Sequence, residues 1–308
     1  MHEGPLAYLN GHFLPAKQLA ISVIDAGFVL GAAVTEQLRT FRGEIFRLQS
    51  HLDRLWRSLD VVGVDPGLSQ QEMAEVARQL TAHNHRLLQP GDDLGLGIFV
   101  TPGPYLGYSE RLVEVRPTVC LHTYPLAFWL WAKKYRQGQA LWLSSVQQVD
   151  SACWPTWLKC RSRMHYYLAD REAAQKEPGA RAVLMDREGF VRETSMANIV
   201  VYRASEGLLS PPYEQILPGV SLETIFVLAD RLGVPKTFRP LRAEDLALAD
   251  ELMITSTPFC VLPVTRFQGR PVGGGEPGPM FQQLLRAWGE EVGVDIVAQA
   301  EQFAERNR

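Results

Sequence analysis

The sequence predicts a two-domain α/β protein. Its 308 residues are enough for two modest hydrophobic cores. Strand patterns and helix patterns alternate along the chain, and the regular polar alternation stops over 125–139 and resumes at residue 140. We therefore expect a small N-terminal α/β domain over 1–124, an interdomain linker over 125–139, and a larger C-terminal domain over 140–308.

The composition limits the kinds of partner that the chain can have. Hydrophobic residues make up 46% and charged residues 21%, which is typical of a globular domain. A formal net charge of -3 gives no reason to expect nucleic acid or an anionic membrane as a partner. The longest aromatic and apolar run, 126–132, is far shorter than the roughly 20 residues that span a bilayer. We expect small-molecule ligands.

The cysteines predict neither a disulfide framework nor a metal site. Cys120, Cys153, Cys160 and Cys260 lack the paired spacing of a zinc cluster. The first residues show no basic segment followed by an apolar one, so no signal peptide is expected. A reducing cytoplasm is the simplest compartment for this chain.

The N-terminal elements begin with two hairpins. Asn10-Gly11 stands between alternating apolar residues, which is the strongest short-range hairpin signal, and a second turn is expected over 42–44. The other elements are a helix marked by leucines at 52, 55 and 59, a helix from the Ser69 and Glu72 capping-box pattern to about residue 83, and strands over 94–101 and 112–123.

The C-terminal elements continue the alternation of strands and helices. Gly233 and Pro235 are the punctuation expected at the end of a helix. In chain order we expect a strand over 140–143, a helix over 162–175, strands over 181–185 and up to 202 around a turn at 186–189, and a helix over 221–232.

Lys159 is the first candidate for chemistry. A lysine amine can form an imine with an aldehyde, and desolvation by Trp157 and Leu158 together with the charges of Arg161 and Arg163 would favour the neutral, nucleophilic amine. Taken alone, a surface lysine at a strand end is the commoner explanation. The neighbouring motifs reverse that preference.

Glu193 is the second candidate, 34 residues further on. A carboxylate paired with a pyridine nitrogen keeps that nitrogen protonated, which lets the ring accept electrons. The small residues Thr194, Ser195 and Ala197 would allow a flat ring to approach the backbone. A surface glutamate in a hairpin remains the alternative if Lys159 is ignored.

Three segments could hold a phosphate. Arg54 could face inward from the edge of a leucine stripe and bind phosphate as a bidentate fork, although an exposed helix arginine is an alternative. The sequence 217–221, Leu-Pro-Gly-Val-Ser, opens onto a helix whose N-terminal amides attract anions, with an ordinary loop as the alternative. The residues 255–257 follow a strand and add hydroxyl donors, although such clusters more often simply end strands.

Through these residues, the chain resembles the class IV, fold-type IV pyridoxal phosphate enzymes. That family includes branched-chain and D-amino acid aminotransferases and aminodeoxychorismate lyase. The resemblance runs from about residue 8 to 271. Its markers, in this order, are 25–36, 46–55, Leu158-Lys159, 171–173, Glu193 with Asn198, Leu217-Pro218-Gly219, 249–251 leading to Ser256-Thr257, and Pro263-Val264.

The resemblance implies a site and an architecture. Lys159 would be the Schiff-base lysine and proton shuttle, and Glu193 would bind the pyridine nitrogen of pyridoxal 5'-phosphate. The fold implied is a two-domain α/β fold whose larger C-terminal domain contains a barrel-like sheet, with the cofactor between domains and a homodimer as the assembly. The remaining cofactor-binding residues implied are Arg54, Asn198, Leu217, Val220, Ser221, Ser256 and Thr257.

Departures from the family bear on the substrate. Thr35 stands where D-amino acid aminotransferases carry a tyrosine, and their Arg-x-His loop is absent from 102–110, which argues against a D-amino acid. Branched-chain enzymes have a tyrosine five positions after the lysine, whereas this chain has Met164. We hypothesise that Thr35 and either Arg161 or Arg163 bind substrate, with solvent-facing arginines as the alternative.

The first interpretation is therefore a transaminase. It would move an amino group from a branched-chain or other apolar amino acid to a 2-oxo acid through a Schiff base at Lys159. The second interpretation is an aminodeoxychorismate lyase that releases pyruvate, and the third is a protein that binds pyridoxal phosphate without turnover. Bound cofactor alone would fit all three.

Overall fold

The chain forms two compact units. The computed structural model describes residues 3–108 and 116–306. Unit 1 extends to Leu126 and also contains the short segment Leu158–Ser162, while unit 2 consists of Ala127–Trp157 and the chain from Arg163 onward. The stretch expected to be a linker contains a short helix, Lys134–Gln137, and belongs to unit 2 from Ala127 on.

Unit 1 is an antiparallel sheet covered on one face by two helices. Its strands have the order β2-β1-β6-β5-β3-β4. The elements are β1 Leu6–Leu9, β2 His12–Pro15, α1 Ala26–Val29, β3 Val34–Phe41, β4 Glu44–Ile45, α2 Leu48–Val62, α3 Gln70–His85, β5 Leu94–Thr101 and β6 Thr118–Pro125.

Local sequence signals set most of these boundaries. Asn10 and Gly11 adopt positive φ of 48° and 92°, as the tight turn between β1 and β2 requires. Ser69 and Glu72 form the expected capping box at the start of α3. The expected strand over 112–123 is observed from Thr118, and its first part, residues 112–115, lies outside the described residues.

The core of unit 1 lies between the two helices and the sheet. Leu52, Leu55 and Leu59 of α2 are buried against strand residues such as Leu38 and Leu96. The 3.6-residue period of the helix and the two-residue period of the strands bring these side chains to one interface. One face of the sheet is therefore covered by helices.

Unit 2 contains a curled, half-barrel sheet with the order β12-β11-β10-β13-β14-β7-β8-β9, and β15 pairs with β14. This is the barrel-like sheet that the resemblance implies. The elements are α4 Lys134–Gln137, β7 Gln139–Leu143, α5 Met164–Lys176, β8 Arg181–Met185, β9 Val191–Thr194, β10 Asn198–Arg203, β11 Gly207–Ser210, α6 Val220–Arg231, β12 Lys236–Phe238, α7 Ala243–Ala247, β13 Glu251–Ser256, β14 Cys260–Phe267, β15 Arg270–Pro271, α8 Pro279–Val292 and α9 Ile296–Phe303.

Two further observations concern the described part of the chain. None of its helices is both long enough and apolar enough to cross a bilayer. Its His, Cys, Asp and Glu side chains form no group of three or more that could share a metal ion.

Candidate active site

The Lys159 segment is fixed to β3 by backbone hydrogen bonds. The carbonyl of Lys159 accepts the Thr35 N–H at 2.9 Å, and the Arg161 N–H donates to the Ala33 carbonyl at 2.8 Å. The Lys159 N–H also donates to Ser58 Oγ of α2 at 3.2 Å. The lysine, expected in the C-terminal domain, is therefore held in unit 1 because its backbone pairs with the start of β3.

Arg54 lies on the buried side of α2 and forms a bidentate ion pair with Glu36 of β3. Arg54 Nε donates to Glu36 Oε1 at 2.7 Å, and Nη2 donates to Oε2 at 2.8 Å. His51, one turn earlier on the same helix, contacts Oε2 through Nδ1 at 2.7 Å. All three residues are at most 4% exposed. Of the two orientations that the sequence leaves open for Arg54, the inward one is observed, and the Nε and Nη2 donors of its guanidinium bind Glu36.

This cluster has a defined charge state. Burial alone would raise the pKa of Glu36, but the charge of Arg54 and the hydrogen bonds from Arg54 and His51 outweigh it and lower the pKa. Burial lowers the pKa of His51, partly opposed by Glu36. Neutral His51 therefore donates Nδ1–H to an ionised Glu36, and its Nε2 has no hydrogen-bond partner among the described residues.

On the face of the unit 1 sheet opposite the helices, two glycines make room for two rings. Gly95 pairs with Tyr124, and Gly97 pairs with His122. A Cβ at Gly95 would lie 2.2 Å from the Tyr124 ring, and one at Gly97 would lie 2.6 Å from His122 Nε2. The rings therefore lie across β5, where Gln37 donates to the Tyr124 hydroxyl.

Arg161 acts on both rings electrostatically. Burial lowers the pKa of His122, and the positive charge of Arg161 lowers it further. Burial raises the pKa of Tyr124, while the Gln37 hydrogen bond and the charges of Arg161 and Arg39 partly offset the increase. The Arg161 side chain is exposed. This places a cation next to the polar, aromatic face of the sheet.

Two other residues expected to bind substrate have different surroundings. Thr35 is 1% exposed, and its hydroxyl donates to the Ile98 carbonyl at 3.0 Å. Arg163 belongs to unit 2, where it is the N-cap residue of α5, and its charge adds to the effect of burial in lowering the pKa of the neighbouring His165. Arg161 and Arg163 therefore belong to different units, although they are only two positions apart in sequence.

In unit 2, Glu193 of β9 is a buried carboxylate surrounded by polar donors. It is 4% exposed. Its Oε1 accepts hydrogen bonds from Gln148 Nε2 and from the Tyr166 hydroxyl, both at 2.5 Å. Its Oε2 lies 3.4 Å from the Leu217 N–H, which donates to it. These contacts hold the carboxylate in one orientation.

Tyr166 is the tyrosine that follows the lysine, but at the seventh position and not the fifth. Burial raises its pKa well above the usual value, and the negative charge of Glu193 raises it further. Its hydroxyl therefore stays protonated and donates. Met164, at the fifth position, is 69% exposed and cannot form a comparable hydrogen bond.

The N-terminus of α6 is a candidate anion-binding element next to this carboxylate strand. Its N-cap, Gly219, provides no side-chain hydrogen bond to the first turn, which begins with Val220 and Ser221. A Cβ at Gly219 would lie 2.0 Å from Asn198 Oδ1. Asn198 Nδ2 donates to the Leu217 carbonyl at 2.8 Å. Asn198 thus fixes the loop that leads into the helix.

The hydroxyl cluster that ends β13 lies in the same unit. Ser256 and Thr257 are half-buried at the turn between β13 and β14. The preceding Thr255 is 1% exposed, and its Oγ1 has no hydrogen-bond partner among the described residues. Buried hydroxyls without partners are uncommon, and one beside two further hydroxyls is chemically suited to an anion.

Sequence reasoning assigns no role to four residues that these clusters contain. Glu36 and His51 lie inside the quoted motifs. Glu36 directly follows Thr35, and His51 lies three residues before Arg54 and so on the same face of the helix, which is a signal that could have identified them. Tyr166 stands out in the sequence only as a neighbour of Met164. Gln148 carries no signal, because it comes from a loop whose path only the folded chain determines.

A comparison with known families shows which family the chain belongs to. The family model of class IV amino-transferases matches residues 33–267, which is most of the chain. The chain belongs to the class IV aminotransferases. It is therefore a transaminase of a class that depends on pyridoxal phosphate, and the matches support transamination and not specifically the lyase reaction.

Individual relatives cover nearly the whole chain. A D-alanine aminotransferase of Bacillus licheniformis is 27% identical over 90% of this chain and 94% of its own length. A Methanocaldococcus jannaschii protein, provisionally named a branched-chain-amino-acid aminotransferase, is 29% identical over 92% of this chain and 98% of its own. Both named activities belong to one transaminase family.

Solved structures show the same fold. The branched-chain amino acid aminotransferase of Escherichia coli superimposes with a TM-score of 0.84 at 23% identity, over 93% of this chain and 94% of that one. A second branched-chain enzyme, from T.th. and solved with pyridoxamine 5'-phosphate, gives a TM-score of 0.83 at 22% identity, over 95% of this chain and 96% of that one. The expected α/β architecture with a half-barrel sheet is confirmed. The pyridoxamine phosphate is a property of that second structure.

Proposed function

We propose that this transaminase binds pyridoxal 5'-phosphate and transfers the amino group of a branched-chain or other apolar amino acid to a 2-oxo acid. The observation that carries the proposal is Glu193, a buried carboxylate held by neutral donors, in the same unit as an α6 N-terminus without a side-chain cap. A pyridine nitrogen and a phosphate need these two features.

The chain has backbone and side-chain donors that fit the phosphate of the cofactor. The N–H groups at Val220 and Ser221, the hydroxyls of Ser256 and Thr257, and Arg54 are donors of the kind that phosphate binds. Glu36 fixes the plane of the Arg54 guanidinium through Nε and Nη2. The arginine is thereby held in one orientation before any ligand binds.

The ring has its own partners in the proposal. Glu193 would bind the ring nitrogen, and Leu217, whose backbone Asn198 fixes, would pack against the ring face. The close approach of Gly219 to Asn198 leaves no room for a side chain in this loop. The donor set therefore suits both ends of the cofactor.

The chain's own residues would carry out the proton chemistry. When bound, pyridoxal phosphate supplies an electron sink that stabilises negative charge at the α-carbon of an amino acid. Lys159 would hold the cofactor through its amine until the substrate amine takes its place. The freed Nζ would then take the proton from the substrate α-carbon and deliver it to C4′ of the cofactor. The backbone bonds to Thr35 and Ser58 fix the segment that carries this amine.

Arg161 and Arg163 are the residues proposed to bind the carboxylate of the substrate. Thr35 would contact the substrate as part of the pocket wall, because its hydroxyl already donates to the Ile98 carbonyl. The charge of Arg161 lowers the pKa of His122, and this electrostatic effect favours Arg161 over Arg163. The test is the substrate KM of Arg161→Ala and Arg163→Ala, with the exposed Arg171→Ala as control. Wild-type KM in both variants would exclude a carboxylate role.

We further propose a homodimer in the cytoplasm. Exposed apolar side chains occur on two segments of unit 1 that are tied together by the Asp25–Pro104 bridge, and Phe28 and Leu106 are 76% and 68% exposed. Such exposed apolar surface is typical of an interface. Sedimentation of the wild type and of Phe28→Ser measures the state of assembly. We expect the wild type to sediment as a dimer and Phe28→Ser to weaken that dimer.

The experiment that tests the function is the visible spectrum of the full chain with pyridoxal phosphate, before and after addition of L- and D-amino acids. Lys159→Ala removes the proposed attachment amine, and Lys176→Ala, an exposed lysine of α5, is the matched control. We expect a cofactor band that depends on Lys159 alone and that is lost with apolar L-amino acids as a 2-oxo acid appears.

Other outcomes would contradict the proposal. Pyruvate released from aminodeoxychorismate without an amino acceptor, and no response to amino acids, would identify the lyase. A stable band that no amino donor changes would indicate a protein that binds the cofactor without turnover. A band that persists in Lys159→Ala would overturn the assignment of the lysine.

A further inference from the structure

The two oxygens of Glu193 have different surroundings. Oε1 accepts two short hydrogen bonds, from Gln148 Nε2 and from the Tyr166 hydroxyl, each 2.5 Å long. Oε2 is 3.4 Å from the Leu217 N–H. Both of these donors at Oε1 are uncharged, so two neutral groups hold the carboxylate on that side.

The two donors are themselves held in place. The Gln148 side-chain oxygen accepts the Val149 N–H at 3.0 Å, and its backbone N–H donates to the Met185 carbonyl at 2.9 Å. Gln148 Nε2 also donates to the Tyr166 hydroxyl at 3.1 Å. The three groups therefore form a closed triangle with Glu193 Oε1 as one corner.

Packing fixes the ring of Tyr166 as well. The ring contacts His165, with centroids 4.0 Å apart and ring planes tilted by 43°, and it packs on a buried alanine cluster that includes Ala169 and Ala173 of α5. A rigid aromatic ring holds its hydroxyl with little loss of conformational entropy on binding. The geometry at Oε1 is therefore set before any ligand arrives.

We propose that Gln148 and Tyr166 are positioning residues that hold Oε1 of Glu193, direct Oε2 toward the ring nitrogen of pyridoxal phosphate, and keep the shared proton on that nitrogen. This inference rests on the proposed function. The family resemblance assigns no role to either residue. In this chain the tyrosine that follows the lysine, Tyr166, donates a hydrogen bond to the Glu193 carboxylate.

The physical reason is the preference of hydrogen bonds for the charged acceptor. Donors aimed at a carboxylate stabilise its ionised form over its protonated form. A proton shared between Glu193 and a ring nitrogen therefore stays on the nitrogen as long as Oε1 keeps both donors. Loss of one donor shifts that proton toward the carboxylate and weakens the electron sink.

The test uses pyridoxal phosphate labelled with ¹⁵N in the ring, bound to the full-length enzyme. Tyr166→Phe removes the hydroxyl donor and keeps the ring, and Tyr167→Phe makes the same change at a neighbouring tyrosine that is 65% exposed. The primary readout is the ¹⁵N chemical shift of the ring nitrogen. Steady-state kinetics with an accepted amino acid give kcat and KM.

In the wild type and in Tyr167→Phe we expect the shift of a protonated ring nitrogen. In Tyr166→Phe the signal should move toward the neutral value, and kcat should fall about tenfold with KM nearly unchanged, as expected for loss of a hydrogen bond to a charged group. An unchanged ¹⁵N shift in Tyr166→Phe would overturn the inference, whatever happens to stability.

A second variant protects the test against a folding defect. Gln148→Leu leaves Tyr166 in place and removes the other donor at Oε1, so it should move the ¹⁵N signal in the same direction. If the wild type fails to bind pyridoxal phosphate through Lys159, the proposed function fails. If it binds and neither variant moves the signal, only the present inference fails.

Discussion

Arg54 and Glu36 form a bidentate ion pair, with Nε–Oε1 and Nη2–Oε2 distances of 2.7 and 2.8 Å, in which both side chains are almost completely buried. The pair joins α2 to β3, the strand whose start also holds the Lys159 segment. Two residues 18 positions apart thereby place the proposed phosphate arginine and the proposed catalytic lysine on one framework.

Replacement of Glu36 should destabilise unit 1. In Glu36→Gln the Arg54 guanidinium would stay buried without its counter-charge, and we expect a loss of about 3 kcal/mol or more in the free energy of unfolding. Urea unfolding followed by circular dichroism measures the change. Glu75→Gln, on the exposed face of α3, is the control and should differ little from wild type. Equal effects of the two changes would argue against a buried ion pair.

Acid should weaken the same cluster in two steps. A buried His51 whose pKa lies below its ordinary 6.5 resists protonation in the folded state, so stability falls as the pH drops below about 6.5. Glu36, whose folded pKa is also lowered, adds stability above its ordinary 4.5 that is lost at more acidic pH.

Melting temperatures between about pH 8 and pH 5 test the first step, because this window brackets the ordinary pKa of histidine. His51→Asn should show a shallower fall across this range, whereas His12→Asn, at an exposed strand position, should keep the wild-type slope. A wild-type slope in His51→Asn would show that this histidine does not control the transition.

Gly219→Ala should weaken cofactor binding. The new Cβ would collide with Asn198 Oδ1, which lies 2.0 Å from its position, and would displace the loop that leads into α6. We expect the dissociation constant of pyridoxal phosphate to rise at least about tenfold, because helix N-terminal donors depend on this geometry. Fluorescence titration measures it, and Gly274→Ala, with open space around the new atom, should bind normally.

Gly95→Ala should disturb the Tyr124 ring. Its Cβ would lie 2.2 Å from that ring, inside a paired strand, and overpacking of this kind costs about 1–3 kcal/mol. Thermal unfolding should show the loss, and Gly274→Ala again provides the matched change without a clash. A stability equal to that of the wild type would mean that the Tyr124 ring can adopt another position without loss of packing.

Short-range signals in the sequence predict several of the local elements, although they give no helix for 279–303, where α8 and α9 are observed. The Asn10-Gly11 turn, the Ser69–Glu72 capping box and the apolar stripe of α2 each depend on residues a few positions apart, and all are observed. Ordered motifs also indicated the family, because catalytic residue types recur at fixed places along the chain. The roles of the lysine, the carboxylate and the Gly loop stay predictions that rest on these motifs.

Which side chains meet depends on the folded chain. The Lys159 segment joins unit 1 because its backbone pairs with β3, and Arg161 and Arg163 fall in different units although they are two residues apart. The partners of Glu193 come from a loop 45 residues earlier and a helix 27 residues earlier. Hydrogen bonding and burial act across space, so no local sequence signal could supply those contacts.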